Sequence, residues 1–126
     1  MYVEYNNNPQ SKRVGDCVIR AIATALNEDW NRIYIDLMIQ GFVMKDLPSA
    51  NYVWGAYLYD NGFNKHIIPD ICPECYSVKQ FCEDNPVGTF VLGTGTHVIA
   101  VKDGNYYDSW DSGDEVPIFY WKKEVN

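Results

Sequence analysis

The sequence predicts an α+β fold, with helices in the first half of the chain and strands in the second. Before the Asn85-Pro86 break, apolar residues recur at spacings of three and four, which is typical of the buried face of a helix. After Gly88 they alternate with polar residues and are rich in β-branched and aromatic types, which favours strands. This segregation indicates α+β rather than an alternating βαβ architecture. No linker or internal repeat divides residues 1–126, so we expect a single domain.

Four helices are predicted from periodicity and from the residues at helix ends. Residues 1–15 are expected to be a polar lead-in, after which Asp16 has the residue type of an N-cap. Gly41 is the expected C-cap of the second helix, and Ser77 is the expected N-cap of the fourth. The predicted helices are Asp16–Leu26, Trp30–Gln40, Ser49–Tyr59 and Ser77–Glu83.

Gly and Asp separate four predicted strands in the second half, which we expect to form an antiparallel meander. Asp103-Gly104 or Gly104-Asn105 makes a two-residue hairpin turn between the second strand and the third. In either register His97 and Asp108 point to the same face of the ribbon. The first turn makes them diagonal neighbours, within ~8 Å between β-carbons. The predicted strands are Thr89–Leu92, His97–Lys102, Asn105–Trp110 and Ile118–Trp121.

The composition excludes several classes of function. The 126 residues carry a net charge of −7, and Lys and Arg are scattered along the chain, which argues against nucleic-acid binding. No stretch approaches ~18 consecutive apolar residues, so we expect no membrane-spanning helix. The N-terminal residues lack the basic and apolar regions of a secretion signal, which favours a cytoplasmic protein with reduced cysteines.

Cys17 is the most informative residue, because a Gly15-Asp16 pair delivers it to the first turn of an apolar, Ala-rich helix. The helix dipole and the free N–H groups at that end stabilise an anion, so a thiol placed there has a pKa below its ordinary value. A cysteine needed only for packing gains nothing from such a position. We therefore expect a reactive thiolate.

His97 and Asp108 supply the two further groups that a thiol nucleophile requires. A thiol hydrolase uses an imidazole to share and deliver the thiol proton, and a third polar group to fix the imidazole tautomer. The sequence therefore predicts acyl transfer in which Cys17 attacks a carbonyl, His97 moves the proton and Asp108 orients His97. Asp111 is a poorer orienter, because alternation along the strand places its side chain on the face of the ribbon opposite to His97 and Asp108. This chemistry needs no cofactor and no metal.

The oxyanion formed in such a reaction needs hydrogen-bond donors. We expect the backbone N–H of Cys17 to provide one of them. A side-chain amide just upstream is expected to provide the other, with Gln10 as the first candidate and Asn8 as the second.

Two further side chains are placed to support the site. Arg20 lies three residues after Cys17 on the same helical face, where it can pair with Asp16 or with a carboxylate from the sheet. Trp110 lies two residues beyond Asp108 on the same face, where it can shield the imidazole–carboxylate pair from water or line a substrate cleft.

Three motifs occur in the order nucleophile, base, orienter: Asp16-Cys17-Val18-Ile19-Arg20-Ala21-Ile22, then His97-Val98-Ile99-Ala100-Val101, then Tyr107-Asp108. In this order the chain resembles the papain-like cysteine peptidase superfamily in its small bacterial and phage forms, and its spacing is similar to that of bacteriocin-processing double-glycine peptidases. The resemblance implies a helix with the nucleophile packed on an antiparallel sheet with the other two residues. It also implies cleavage of a peptide, isopeptide or related amide bond in a polypeptide substrate. In that superfamily an oxyanion glutamine stands about six residues before the nucleophile, a place that Ser11 takes here, with Gln10 one residue further back.

Two alternatives remain open. The same fold can act as a binding module that uses the cleft between helix and sheet without turnover. A zinc-stabilised interaction domain is the other, because Cys72-Pro73-Glu74-Cys75 has the spacing of half a zinc site, which Cys82 and His66 can complete. The second pair lacks the usual spacing, so zinc is the weaker alternative.

Overall fold

The computed structural model describes residues 1–69 and 76–124, and these ranges contain four helices and six strands. The α+β class predicted from the sequence is thus confirmed. The helices are α1 (Cys17–Leu26), α2 (Trp30–Met44), α3 (Asn51–Asp60) and α4 (Val78–Asp84). The strands are β1 (Tyr2–Glu4), β2 (Phe63–Ile67), β3 (Thr89–Gly93), β4 (Val98–Lys102), β5 (Asn105–Asp108) and β6 (Phe119–Lys123).

The six strands form one sheet in the order β1-β5-β4-β3-β6-β2. Strands β3–β6 pair antiparallel, as predicted, but β6 lies next to β3 and not next to β5, so the predicted meander is wrong in its last strand. β2 is antiparallel to β6, whereas β1 runs parallel to β5, so the sheet as a whole is mixed. Residues 1–15 are accordingly more than a polar lead-in. Tyr2–Glu4 pairs with β5, and the ammonium group of Met1 donates to the Gly104 carbonyl over 2.9 Å. An edge strand of three residues is too short to show the alternation from which strands are predicted.

The hairpin of β4 and β5 contains the turn that brings the predicted base and orienter together. Asp103 and Gly104 have φ angles of 50° and 79°, and two positive values are what a two-residue type I′ turn requires. The pairing of β4 with β5 follows the register predicted for this turn. His97 directly precedes β4 and Asp108 ends β5, so both side chains emerge at the same end of the hairpin.

Capping at two helix ends differs from the prediction, and α3 begins at Asn51, two residues after the predicted Ser49. α2 continues for three residues past Gly41 to Met44, and its C-cap is Lys45, which has the left-handed conformation with φ 59°. Gly41 serves close packing instead, because a β-carbon there would lie 2.6 Å from the Asp46 carbonyl oxygen. Asp16 does occupy the N-cap position of α1, but its side chain makes no cap hydrogen bond because it pairs with Arg20.

The sheet is covered on both faces. On one face α1, α2 and α3 form a core that includes Ile22, Trp54 and Val91. On the other face α4 packs through Phe81 against a core that includes Leu92. Val91 and Leu92 are successive residues of β3, so the two cores follow the alternation of side chains along a strand. Because α1 lies against β4, its N-terminal turn is held close to the first residues of that strand.

Gly93 at the end of β3 is required by close packing, and its substitution is expected to destabilise the fold. A β-carbon at Gly93 would lie 2.2 Å from the ring of Phe119, which stacks on Trp54 with ring centroids 5.8 Å apart. We expect Gly93→Ala to lower the free energy of unfolding by roughly 1–3 kcal/mol, the usual cost of overpacking. Denaturant unfolding measures this, with Gly15→Ala as the control because a β-carbon there meets nothing within 4 Å. Equal midpoints for the two variants would contradict the prediction.

Candidate active site

The first turn of α1 places the thiol of Cys17 beside the start of β4. Cys17 is the first residue of the helix, is half-buried and is a free thiol within the described part of the chain. The side chain of His97 and the backbone N–H of Val98 lie beside its sulfur, where both favour the thiolate. The structure therefore brings the predicted nucleophile and the predicted base into contact.

His97 is held between the thiol and the carboxylate of Asp108. Its Nε2 lies 2.6 Å from Oδ2 of Asp108, and because a carboxylate only accepts, Nε2 carries the proton in this bond. Nδ1 is then left for the thiol. The backbone of His97 is also fixed, since its N–H donates to Thr94 Oγ1 over 3.0 Å and its carbonyl accepts from the Thr94 N–H over 2.9 Å. Trp110 lies against the imidazole, with ring centroids 5.0 Å apart, in the place predicted for it.

Asp108 is buried and accepts hydrogen bonds from four donors. Its Oδ2 accepts from Nε2 of His97 and, over 2.7 Å, from the hydroxyl of Ser112. Its Oδ1 accepts from the Ser109 N–H over 2.7 Å and from Nη2 of Arg20 over 3.2 Å. These donors stabilise the ionised carboxylate and fix its plane, although the side chain is only 2% exposed. Sequence reasoning missed Ser112, because no local pattern marks the segment after β5 that carries it.

Arg20 joins two buried carboxylates next to the site. Its Nη1 pairs with Oδ1 of Asp16 and its Nη2 with Oδ1 of Asp108, so both predicted partners are confirmed. Oδ2 of Asp16 in turn accepts from the indole N–H of Trp30 over 3.0 Å and from the amide of Asn8 over 3.3 Å. One cation thus connects the start of α1, which carries Cys17, to the carboxylate that hydrogen-bonds to His97.

These contacts shift three pKa values in the directions that a thiolate–imidazolium pair requires. Burial disfavours the thiolate of Cys17, but the neighbouring His97 side chain and the Val98 N–H outweigh it, and the pKa of the thiol falls below its ordinary value. Burial also disfavours the imidazolium, yet the hydrogen bond to Asp108 and the contact with Cys17 raise the pKa of His97 to about 9. The pKa of Asp108 is lowered against the effect of burial, chiefly by its bond to His97.

A cleft of about 170 Å³ opens over the thiol. It is lined from the start of α1, from the start of α3 and the residues just before it, and from the turn between β3 and β4. Its lining includes Cys17, Ser49, Asn51, Thr94 and His97. A group that enters this cleft therefore meets the predicted nucleophile and the predicted base together.

The structure does not bring Gln10 to the thiol, which corrects the predicted oxyanion site. The Gln10 side chain is exposed and is not among the residues that line the cleft. The cause is a turn at Asn8, whose Oδ1 accepts from the Gln10 N–H over 2.9 Å and whose carbonyl accepts from the Ser11 N–H over 2.8 Å. Asn8, the second candidate, is buried and donates its amide to Asp16. Neither residue is assigned to the oxyanion.

Asp111 does not compete with Asp108 for the imidazole. Its carboxylate accepts from the hydroxyl of Tyr106 and, over 3.1 Å, from the N–H of Gly113. The preference for Asp108 as the orienter, derived from strand parity, agrees with this placement.

The zinc alternative falls partly outside the described residues, because Cys72 and Cys75 belong to the segment that is not described. Cys82 is buried on α4, and His66 is an exposed residue of β2 that stacks on Tyr120 with ring centroids 4.9 Å apart. Within residues 1–69 and 76–124, no three His, Cys, Asp or Glu side chains are grouped as they would be around a metal ion.

Comparison with protein-family models, with curated proteins and with solved structures gives no match for this chain. In the described ranges, no helix has the length and apolar character needed to cross a bilayer.

Proposed function

We propose that this chain is a papain-like thiol hydrolase that cleaves a peptide, isopeptide or related amide bond in a polypeptide. The observation that carries the proposal is the placement of Cys17 beside His97 in one cleft, with His97 hydrogen-bonded in turn to Asp108. The packing of α1 on β4 also supports it, because a nucleophile helix lying on the sheet with the base and orienter is the arrangement that the superfamily implies. We place the enzyme in the cytoplasm, where cysteines remain reduced.

In the proposed reaction the thiolate of Cys17 attacks the carbonyl carbon of the scissile amide. The imidazolium of His97 protonates the leaving nitrogen, the C–N bond breaks, and an acyl-enzyme thioester remains. Neutral His97 then takes a proton from the water that attacks the thioester, and the carboxylic acid leaves as the thiolate and the imidazolium form again. Asp108 keeps a proton on Nε2, so that Nδ1 is the nitrogen that exchanges protons at the reacting centre.

A binding module without turnover is the second candidate, and the exposed position of Gln10 favours it. Such a module keeps the shifted pKa values and the cleft, because neither depends on the oxyanion site. It differs from a hydrolase only in whether an acyl group is transferred. Reactivity of the thiol and cleavage of an amide must therefore be measured side by side.

We expect the wild-type chain to cleave members of a peptide library and Cys17→Ser to cleave none. The reason is that the serine hydroxyl has a far higher pKa and is not ionised by the same imidazole. Iodoacetamide alkylation followed over pH reports the thiolate directly. His97→Ala should move the midpoint of alkylation toward that of an ordinary thiol, near ~8.5.

Cys82→Ser is the matched control, because burial raises the pKa of the Cys82 thiol to about 11 and its loss should affect neither measurement. Alkylation of Cys17 at neutral pH without any cleavage would favour the binding module. A Cys17 thiol with an ordinary alkylation midpoint would overturn the hydrolase.

A further inference from the structure

The catalytic cleft contains a side-chain amide that the mechanism above does not use. Asn51 is the first residue of α3 and lines the cleft together with Cys17 and His97. In the described part of the chain, it alone among the cleft-lining residues carries a side-chain amide. Its side chain is exposed to solvent, so it is open to a bound substrate.

The orientation of the Asn51 amide is fixed by the indole of Trp54. Oδ1 of Asn51 accepts from Nε1 of Trp54 over 3.2 Å. An indole N–H can only donate, so the oxygen of the amide must face it and the NH2 group is the end left over. Trp54 is fully buried, which anchors this arrangement in the core.

In the proposed reaction the cleft needs a hydrogen-bond donor for the oxyanion. A tetrahedral oxyanion is stabilised by two or more preorganised donors, and a single donor is worth about 10²- to 10³-fold in kcat. The Cys17 N–H at the start of α1 is one candidate, because no side chain caps that helix end. Gln10 lies outside the cleft lining, and the hydroxyl of Thr94 donates its proton to the His97 carbonyl over 3.4 Å.

We propose that Asn51 is a catalytic residue whose Nδ2 donates a hydrogen bond to the oxyanion, opposite the N–H of Cys17. The inference rests on the proposed thiol hydrolase. It places the side-chain donor on α3, after the nucleophile in the chain, and not on the segment that precedes the nucleophile. It also gives the bond between Asn51 and Trp54 a function, since that bond occupies the amide oxygen and leaves the NH2 group to the oxyanion.

Asn51→Asp tests the proposal, because aspartate keeps an acceptor for Trp54 but replaces the donor with an anion. The probe is 4-nitrophenyl acetate, which acylates a thiolate through a tetrahedral oxyanion as a C–S bond forms and 4-nitrophenolate leaves. We expect the rate of acylation to fall roughly 100-fold. Alkylation by iodoacetamide displaces iodide without forming an oxyanion, so its rate should stay within about twofold of the wild type.

Asn31→Asp is the matched control, because it makes the same change at an exposed position in the first turn of α2, away from the cleft. A purely structural Asn51 would give a different pattern: acylation by Asn51→Asp would equal that of the wild type, and only Asn51→Ala would lower the unfolding midpoint. That result would overturn this inference alone. A wild-type Cys17 that iodoacetamide alkylates but 4-nitrophenyl acetate does not acylate would overturn the hydrolase as well.

Discussion

Replacing Asp108 by asparagine is expected to lower kcat/KM roughly 10³- to 10⁴-fold through the tautomer of His97. The Oδ1 position of Asp108 faces two groups that can only donate, the Ser109 N–H and the Arg20 guanidinium. The amide oxygen of the asparagine must therefore take that position, and its NH2 group must face His97. Nε2 can then only accept, and the imidazole proton moves to Nδ1, where it prevents transfer from the thiol.

The pH profile separates this effect from a general loss of structure. Because the pKa of His97 is raised to about 9, the imidazolium that protonates the leaving nitrogen is present below that pH, and wild-type kcat/KM should fall as pH rises through about 9. In Asp108→Asn the main favourable contact of the imidazolium is gone. The alkaline fall in kcat/KM of this variant should therefore lie at lower pH than in the wild type. The pH midpoint of Cys17 alkylation should rise.

Asp111→Asn is the matched control, because Asp111 lies three residues further along and bonds to Tyr106 and Gly113 instead of the imidazole. It should leave both the turnover and the alkylation profile within about twofold of the wild type, as expected for a change outside the proton-transfer path. If Asp108→Asn and Asp111→Asn gave the same profiles, orientation of His97 by Asp108 would be excluded.

The site could be predicted from the sequence where a residue acts through a local pattern. Cys17 follows from its place at the start of an apolar helix. His97 and Asp108 follow from the parity of a hairpin whose turn residues fix the register. Ser112 and Asn51 could not be found in this way, because they reach the site through tertiary packing of a loop and of a helix start.

The elements of the fold could likewise be predicted where a local pattern marks them. The N-cap Ser77 is confirmed, since its hydroxyl accepts from the Gln80 N–H over 3.2 Å, and capping is a local rule. β2 is not predictable by alternation, because only Phe63 of its five residues is buried. At Asp16 the local capping rule competes with the Arg20 guanidinium, and the carboxylate pairs with that cation instead of with a neutral backbone N–H.

Arg20→Met is expected to lower the free energy of unfolding by about 3–5 kcal/mol, the usual cost of removing one partner from a buried ionic group. Methionine is unbranched and flexible enough to fill the space of the arginine stem, so little packing is lost. What changes is the charge: Asp16 and Asp108 are 4% and 3% exposed and remain without the cation that joins them. Denaturant unfolding at pH 7 measures the loss.

Arg32→Met provides the comparison at the surface. Arg32 is 65% exposed and lies 3.7 Å from Asp36 and 3.9 Å from Glu28, so its ion pairs are screened by water. We expect this variant to lose less than about 1 kcal/mol. If Arg32→Met lost as much free energy of unfolding as Arg20→Met, the loss would come from removing the arginine stem and not from leaving two buried carboxylates without their cation.

Acid pH separates charge from packing at Arg20. In the wild type the pKa of Asp108 is lowered, so its contribution to stability is complete at pH 7 and pH 5 and is lost only as pH falls through that low value. In Arg20→Met one of the two neighbouring carboxylates binds a proton readily, so the free energy of unfolding should increase from pH 7 to pH 5. Adding Asp16→Asn removes one of the two charges and should recover part of the loss at pH 7. If the free energy of unfolding of Arg20→Met stayed level or fell from pH 7 to pH 5, Arg20 would act through packing. Relief of repulsion between buried carboxylates would instead raise that free energy as pH falls.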